Sequence, residues 1–112
     1  MYKIDDDGTF SIIRGDSADF TIHLYEVDDK GEVIGEYNPE PGDTLLFTVK
    51  KNTKSKDILI QKTGPNIDLV PADTKNLDYG SYKYDVQLTF ASGFVDTVVP
   101  PTVFKVLEEV TF

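Results

Sequence analysis

Few residues in this chain could do chemistry, and their spacing narrows what that chemistry could be. His23 is the only histidine among 112 residues, and there is no cysteine. Zinc sites built on cysteine or on a histidine pair are therefore excluded, as is a thiolate nucleophile. A Ser-His-Asp arrangement would have to be built around His23, which lies beside Thr21 and Tyr25 on the polar side of an alternating stretch. A general base needs a cleft and an orienting partner, and no local pattern supplies either. The acidic turns at residues 5–8 (DDDG) and 28–32 (DDKGE) offer oxygens to a hard cation. Neither has the alternating acids, sixth-position glycine and twelfth-position glutamate of an EF-hand loop. They read as solvated turns, and no pair of carboxylates stands out for glycoside hydrolysis. No enzyme activity, metal or cofactor is expected, and no small-molecule ligand.

Arg14-Gly15-Asp16-Ser17 spells a cell-adhesion tripeptide with its usual fourth residue. Adhesion requires the tripeptide at an exposed loop tip in an extracellular protein. The flanking residues suggest something simpler. Apolar alternation runs up to Ile13 and resumes at Ala18, and Gly, Asp and Ser are the residues a tight turn uses for unusual φ and for bonds to nearby amides. Arg14, Gly15 and Asp16 are read as a structural turn.

The elements that must hold these residues are strands. Ala18, Phe20, Ile22 and Leu24 alternate with Asp19, Thr21, His23 and Tyr25, which predicts one strand with a buried and a wet face. Leu45, Phe47 and Val49 repeat the pattern, as do Ile58 with Ile60 and Ile67 with Leu69. Tyr82, Tyr84, Val86, Leu88 and Phe90 form the longest run. The turn Ala91-Ser92-Gly93 then predicts a hairpin into the apolar stretch after Phe94. Residues 27–43 predict a small hairpin followed by a Pro-rich loop, and residues 71–78 a single helical turn opened by Pro71. An unbroken strand from Phe94 to Thr111 would be about 60 Å long, so Pro100-Pro101 is expected to bend the chain or switch it between sheets.

Residues 1–112 are read as a single domain, since one core serves a chain of this size. Twenty acidic residues against eleven basic ones give a formal charge of −9, which disfavours nucleic acid and anionic lipid as partners. The first ten residues carry aspartates where a secretory signal needs positive charge and a long apolar run. No apolar run approaches the ~20 residues needed to cross a bilayer. No signal peptide, transmembrane segment or membrane insertion is expected.

Asp78, Gly80 and Tyr82 have the spacing of a tyrosine corner, in which a hydroxyl at the start of one strand bonds to backbone a few residues upstream. Together these features predict an all-β immunoglobulin-like antiparallel β-sandwich of about seven to nine strands without a disulfide. The two terminal apolar segments are expected at sheet edges, which makes Val103, Phe104, Val106 and Leu107 a candidate interface edge.

The RGD-type turn, the strand in GDTLLFTVKK and the block from Asp73 to Asp85 (DTKNLDYGSYKYD) together carry a resemblance. From about Ile12 to Thr111 the chain resembles phage and prophage structural domains of Gram-positive bacteria, in particular the N-terminal domain of baseplate upper proteins. The resemblance implies a non-enzymatic virion protein, made in the bacterial cytoplasm and assembled into a tail or baseplate. Its partners would be copies of itself or another virion protein. The alternative is a carbohydrate-binding or adhesive surface module, for which Tyr2, Tyr25, Tyr37 and Tyr79 are candidate platform residues.

Overall fold

The computed structural model describes residues 2–109. Strands account for 55% of it and helix for 5%, so the architecture is all-β. The strands are β1 (Tyr2–Ile4), β2 (Phe10–Ile13), β3 (Ala18–Thr21), β4 (Leu24–Val27), β5 (Val33–Tyr37), β6 (Thr44–Lys50), β7 (Ile60–Gly64), β8 (Asn66–Leu69), β9 (Gly80–Thr89) and β10 (Val95–Leu107). One short helix, α1 (Pro71–Lys75), separates β8 from β9. Six strands form a curled half-barrel in the order β1-β2-β10-β9-β6-β7. The remaining four form two-stranded ribbons, β3 with β8 and β4 with β5.

Alternation sets the inner face of the large sheet. Leu45, Phe47 and Val49 on β6 and Tyr82, Tyr84, Val86 and Leu88 on β9 are buried, whereas Leu46, Thr48, Lys50, Lys83, Asp85 and Gln87 face outward and are half-buried. The β3–β8 ribbon covers the inner face with Ala18, Phe20, Ile67 and Leu69. The two layers meet in a knot of rings. Phe10 stacks on Phe104 at 5.0 Å and 8°, Phe47 meets Tyr84 at 5.3 Å, and Phe20 packs edge-on against Phe47 at 5.9 Å. Offset-stacked and edge-to-face arrangements are those that the ring quadrupoles favour.

Several sequence expectations change here. Ten strands form among the described residues, and β2 runs parallel to β10, Phe10 opposite Phe104 and Ile13 opposite Leu107. The sheet is therefore mixed. Residues 18–25 are two strands, because Ala18–Thr21 pairs with β8 while Leu24–Val27 pairs with β5. Burial still alternates across the break, with Ile22 half-buried and His23 exposed, so periodicity conceals it. The strand expected around Ile58 starts only at Ile60.

Pro100-Pro101 neither ends β10 nor moves it to another sheet. The ladder with β9 shifts register twice, between Thr97 and Val99 and between Val99 and Thr102. A bulge leaves a residue unpaired, and that is where a strand tolerates proline's missing N–H.

The candidate interface edge is also corrected. Phe104 and Val106 are fully buried, Val103 is half-buried, and only Leu107 is exposed, at 44%. Beyond the prolines β10 lies between β9 and β2, and β2 is itself covered by β1. The free edges of the large sheet are β1 and β7.

Phe104→Ala should lower unfolding stability by about 3–5 kcal/mol, the usual cost of emptying an aromatic site in a core. Leu107→Ala should lower it by a small fraction of that. Urea midpoints of the two variants test the ordering, and equal losses would contradict the central placement of β10.

Candidate functional site

Two sequence motifs that lie more than sixty residues apart come together at one end of the large sheet. At the first, Asp16 N–H donates to the Ile13 carbonyl at 3.0 Å, closing a β-turn over Arg14 and Gly15. Gly15 has φ +86°, and among the described residues only glycines have positive φ, so Arg14 does not, which makes this a type II turn. Its backbone is tied on both sides: Gly15 N–H donates to Thr74 Oγ1 at 2.8 Å, and Arg14 N–H to the Leu107 carbonyl at 3.0 Å. Thr74, the one buried polar residue among the described residues, is thus explained as the acceptor for this turn.

The Arg14 side chain is used in the same place. Nε and Nη2 each lie 2.8 Å from Glu109 Oε1, Nη1 is 3.4 Å from the Leu77 carbonyl, and the guanidinium carbon sits 4.3 Å from the Tyr79 ring centroid. A planar cation that donates at its edge and stacks on its face is held more firmly than a lysine would be. The arginine of the tripeptide is engaged by the protein itself.

The second motif begins where Arg14 reaches. Tyr82 hydroxyl donates to the Asp78 carbonyl at 2.6 Å, four residues upstream. Residues 77–79, in the connection from α1 to β9, are therefore gripped by Arg14 from one side and by Tyr82 from the other. Burial pushes the Tyr82 phenol up from its ordinary value, with the Asp78 charge adding to the effect.

His23 and the acidic turns are in structural contacts elsewhere. His23 Nδ1 is 3.0 Å from Glu36 Oε1, both exposed, beside the β4–β5 ribbon. Asp7 accepts from Thr9, whose hydrogen bonds hold its carboxyl below the usual range. Asp28 Oδ1 accepts from the N–H groups of Lys30 and Glu32, closing the ribbon's turn. Among the described residues no group of three or more His, Cys, Asp or Glu side chains converges as a metal site would. The four candidate platform tyrosines make separate contacts. Tyr2 stacks on Phe10 at 5.6 Å, Tyr79 lies under Arg14, Tyr37 donates to Asp43 and meets Phe90, and Tyr25 stands on the ribbon.

Two surfaces went unread in the sequence. The first is a groove of about 240 Å³ on the outer face of the large sheet, lined among others by Leu46, Thr48, Lys50, Ile58, Gln61, Lys83, Asp85, Gln87 and Pro101. Burial there pushes the Asp85 carboxyl up, and Lys50 pulls it back. These are the outward residues of β6 and β9, visible in the sequence only as the polar half of an alternation. The second is the β4–β5 ribbon. Only Leu24 and Tyr37 at its base join or pack against the core, while Tyr25, Val27, Val33 and Ile34 are 58–64% exposed. The loop before β6 steadies that base: a Cβ on Gly42 would stand 2.8 Å from Ala91 Cβ, and Asp43 Oδ1 accepts from Ala91 N–H at 3.1 Å.

Gly15→Ala should cost about 1–2 kcal/mol, the penalty of left-handed backbone for an L-residue, and Tyr82→Phe about 1 kcal/mol. Both are read by chemical denaturation. Integrin-bearing cells should adhere no better to the wild-type surface than to Asp16→Glu, and adhesion lost in the variant would restore the recognition reading. The hydrogen bond to Asp43, with burial, pushes Tyr37 up to about 12. A folded-state value above the unfolded one, near 10, stabilises fully below pH ~10 and loses that contribution as pH rises toward 12. Asp43 is shifted down by the same bond, so its contribution is present above the unfolded carboxylate value and lost in acid. Tyr37→Phe should flatten the alkaline fall in urea midpoint between about pH 10 and 12.

No protein-family model, curated protein or solved structure matches the chain.

Proposed function

We propose that the chain is a non-enzymatic structural protein of a phage or prophage virion, an assembly or attachment module of tail or baseplate type. It would be made in the bacterial cytoplasm and work by docking to copies of itself or to another virion protein. The observation that carries this reading is the β4–β5 ribbon. A lone two-stranded hairpin is marginal in water, and this one leaves both faces open with Tyr25, Val27, Val33 and Ile34 exposed. Exposed apolar surface rimmed by polar residues is characteristic of interaction sites.

Strand order supports the immunoglobulin-like fold that the resemblance implies. The run β6-β9-β10 corresponds to the C-F-G order of an immunoglobulin-like sandwich, β3 beside β8 to its B-E pair, and the Tyr82 bond to its corner. On that reading β4–β5 is an insertion between strands B and C. The charge of −9 argues against nucleic acid and an anionic membrane surface. Among the described residues, no helix is long and apolar enough to cross a membrane.

One observation favours a carbohydrate-binding or adhesive module instead. Thr48, Gln61, Asp85 and Gln87 in the outer groove are hydrogen-bonding side chains suited to hydroxyls. Mass spectrometry of density-purified particles from the source bacterium tests the leading reading, which expects the chain at fixed stoichiometry with tail proteins. Its absence from such particles, together with glycan-array binding that Gln61→Ala and Gln87→Ala abolish, would transfer the conclusion to the second.

A further inference from the structure

The net charge hides a strong internal polarity. Along the ribbon and its turn, Glu26, Asp28, Asp29, Glu32 and Glu36 face a single cation, Lys30. The end of β6 and the loop that follows are the reverse: Lys50, Lys51, Lys54 and Lys56 fall within seven residues, with Asp57 next in the chain and Asp85 beside Lys50 in the groove. Lys83 stands opposite Lys50 in the ladder and adds to the basic side.

The two charged segments leave the large sheet from opposite ends of β6. The ribbon is rooted at the Thr44 end of β6, where Tyr37 donates to Asp43 and packs on Phe90 at 5.9 Å. The basic loop leaves from the Lys50 end, seven residues or about 20 Å away. Apolar surface accompanies both. Val27 pairs with Val33, and Tyr25 and Ile34 beside them are also exposed. Leu46, Ile58 and Pro101 lie in the groove beside the lysines.

We propose that the ribbon of one copy docks across the lysine loop and groove of a second copy, in a head-to-tail contact. Two ribbons meeting each other would oppose five acids to five, so a symmetric contact through the ribbons is disfavoured. A heterologous contact joins unlike ends and propagates, giving a ring if the rotation closes and a filament if it does not. The inference rests on the assembly reading above and names its partner.

Sedimentation velocity with the whole chain tests it. Association should be seen at about 20 mM salt and weaken about tenfold or more by about 500 mM, as screening shortens the reach of the charges. Reversing the loop (Lys51→Glu, Lys54→Glu, Lys56→Glu) or the ribbon (Glu26→Lys, Asp29→Lys, Glu32→Lys) should each give a monomer. Mixing the two reversed variants should restore association, since each then presents the charge the other needs. Circular dichroism confirms that both remain folded. Because the chain has no cysteine, the double variant Val33→Cys, Thr53→Cys supplies an independent readout. Oxidation should yield a ladder of disulfide-linked multimers, whereas Val33→Cys alone should yield little dimer. A wild-type monomer at low salt and high concentration, or efficient dimerisation of Val33→Cys alone, overturns the head-to-tail contact. Either result leaves the virion reading to its own test, since the chain would still be found in purified particles if that reading holds.

Discussion

The structure depends on the parallel pairing of β2 with β10, centred on the stacked rings of Phe10 and Phe104. This pairing brings residues near the two ends of the described chain together in the middle of a sheet rather than at its margin. It gives Phe104 and Val106 neighbours on both sides, which is why they are fully buried. It also adds β2 and β1 to the half-barrel, so the inner face extends far enough to be covered by β3 and β8. A pairing between segments so distant in sequence carries a large loop-closure cost, so the core should form late and cooperatively.

The same pairing decides the fate of the RGD tripeptide. Because β2 ends beside the end of β10, the turn after Ile13 comes next to Leu107 and Glu109, and Arg14 finds its carboxylate there. On the other flank it meets Leu77 and Tyr79. An arginine that secures the connection between α1 and β9 is occupied before any outside partner arrives. The motif's letters were therefore informative about local geometry, where Gly15 is needed for its positive φ.

Much of this was legible because alternation reports which face of a strand is buried. Leu45, Phe47 and Val49, and Tyr82 through Leu88, took the positions that their spacing implied. The hairpin turn at Ala91-Ser92-Gly93, the ribbon turn and the helical turn at Pro71 followed from residues whose backbone preferences are local. Alternation does not report which strand is the neighbour. Phe104 and Val106 looked like a sticky edge because nothing within their own segment reveals the parallel partner Phe10–Ile13. For the same reason the stretch from Ala18 to Tyr25 looked continuous, although its halves pair with β8 and β5. The groove was hidden by the same limit, since Thr48, Gln61 and Asp85 become neighbours only once β6 lies between β7 and β9.

Where the sheet edges lie bears on how the molecule can associate. β1 is three residues long and is followed by three aspartates, which makes it a poor template for strand addition. β7 ends at the Gly64–Pro65 step and carries Lys62, paired with Asp73 at 3.0 Å. Both edges are thus short and bear charge or an adjacent proline. The surfaces left uncommitted are instead made of side chains: the exposed faces of the ribbon and the outward face of the half-barrel. The ribbon and its turn are rich in acids and the end of β6 with its loop is rich in lysines, so the average of −9 misrepresents what a close neighbour would meet. Over separations longer than a Debye length of about 8 Å at physiological ionic strength, salt screens the overall repulsion. At contact the local pattern dominates, so an acidic ribbon brought against the lysine loop would be attracted to it.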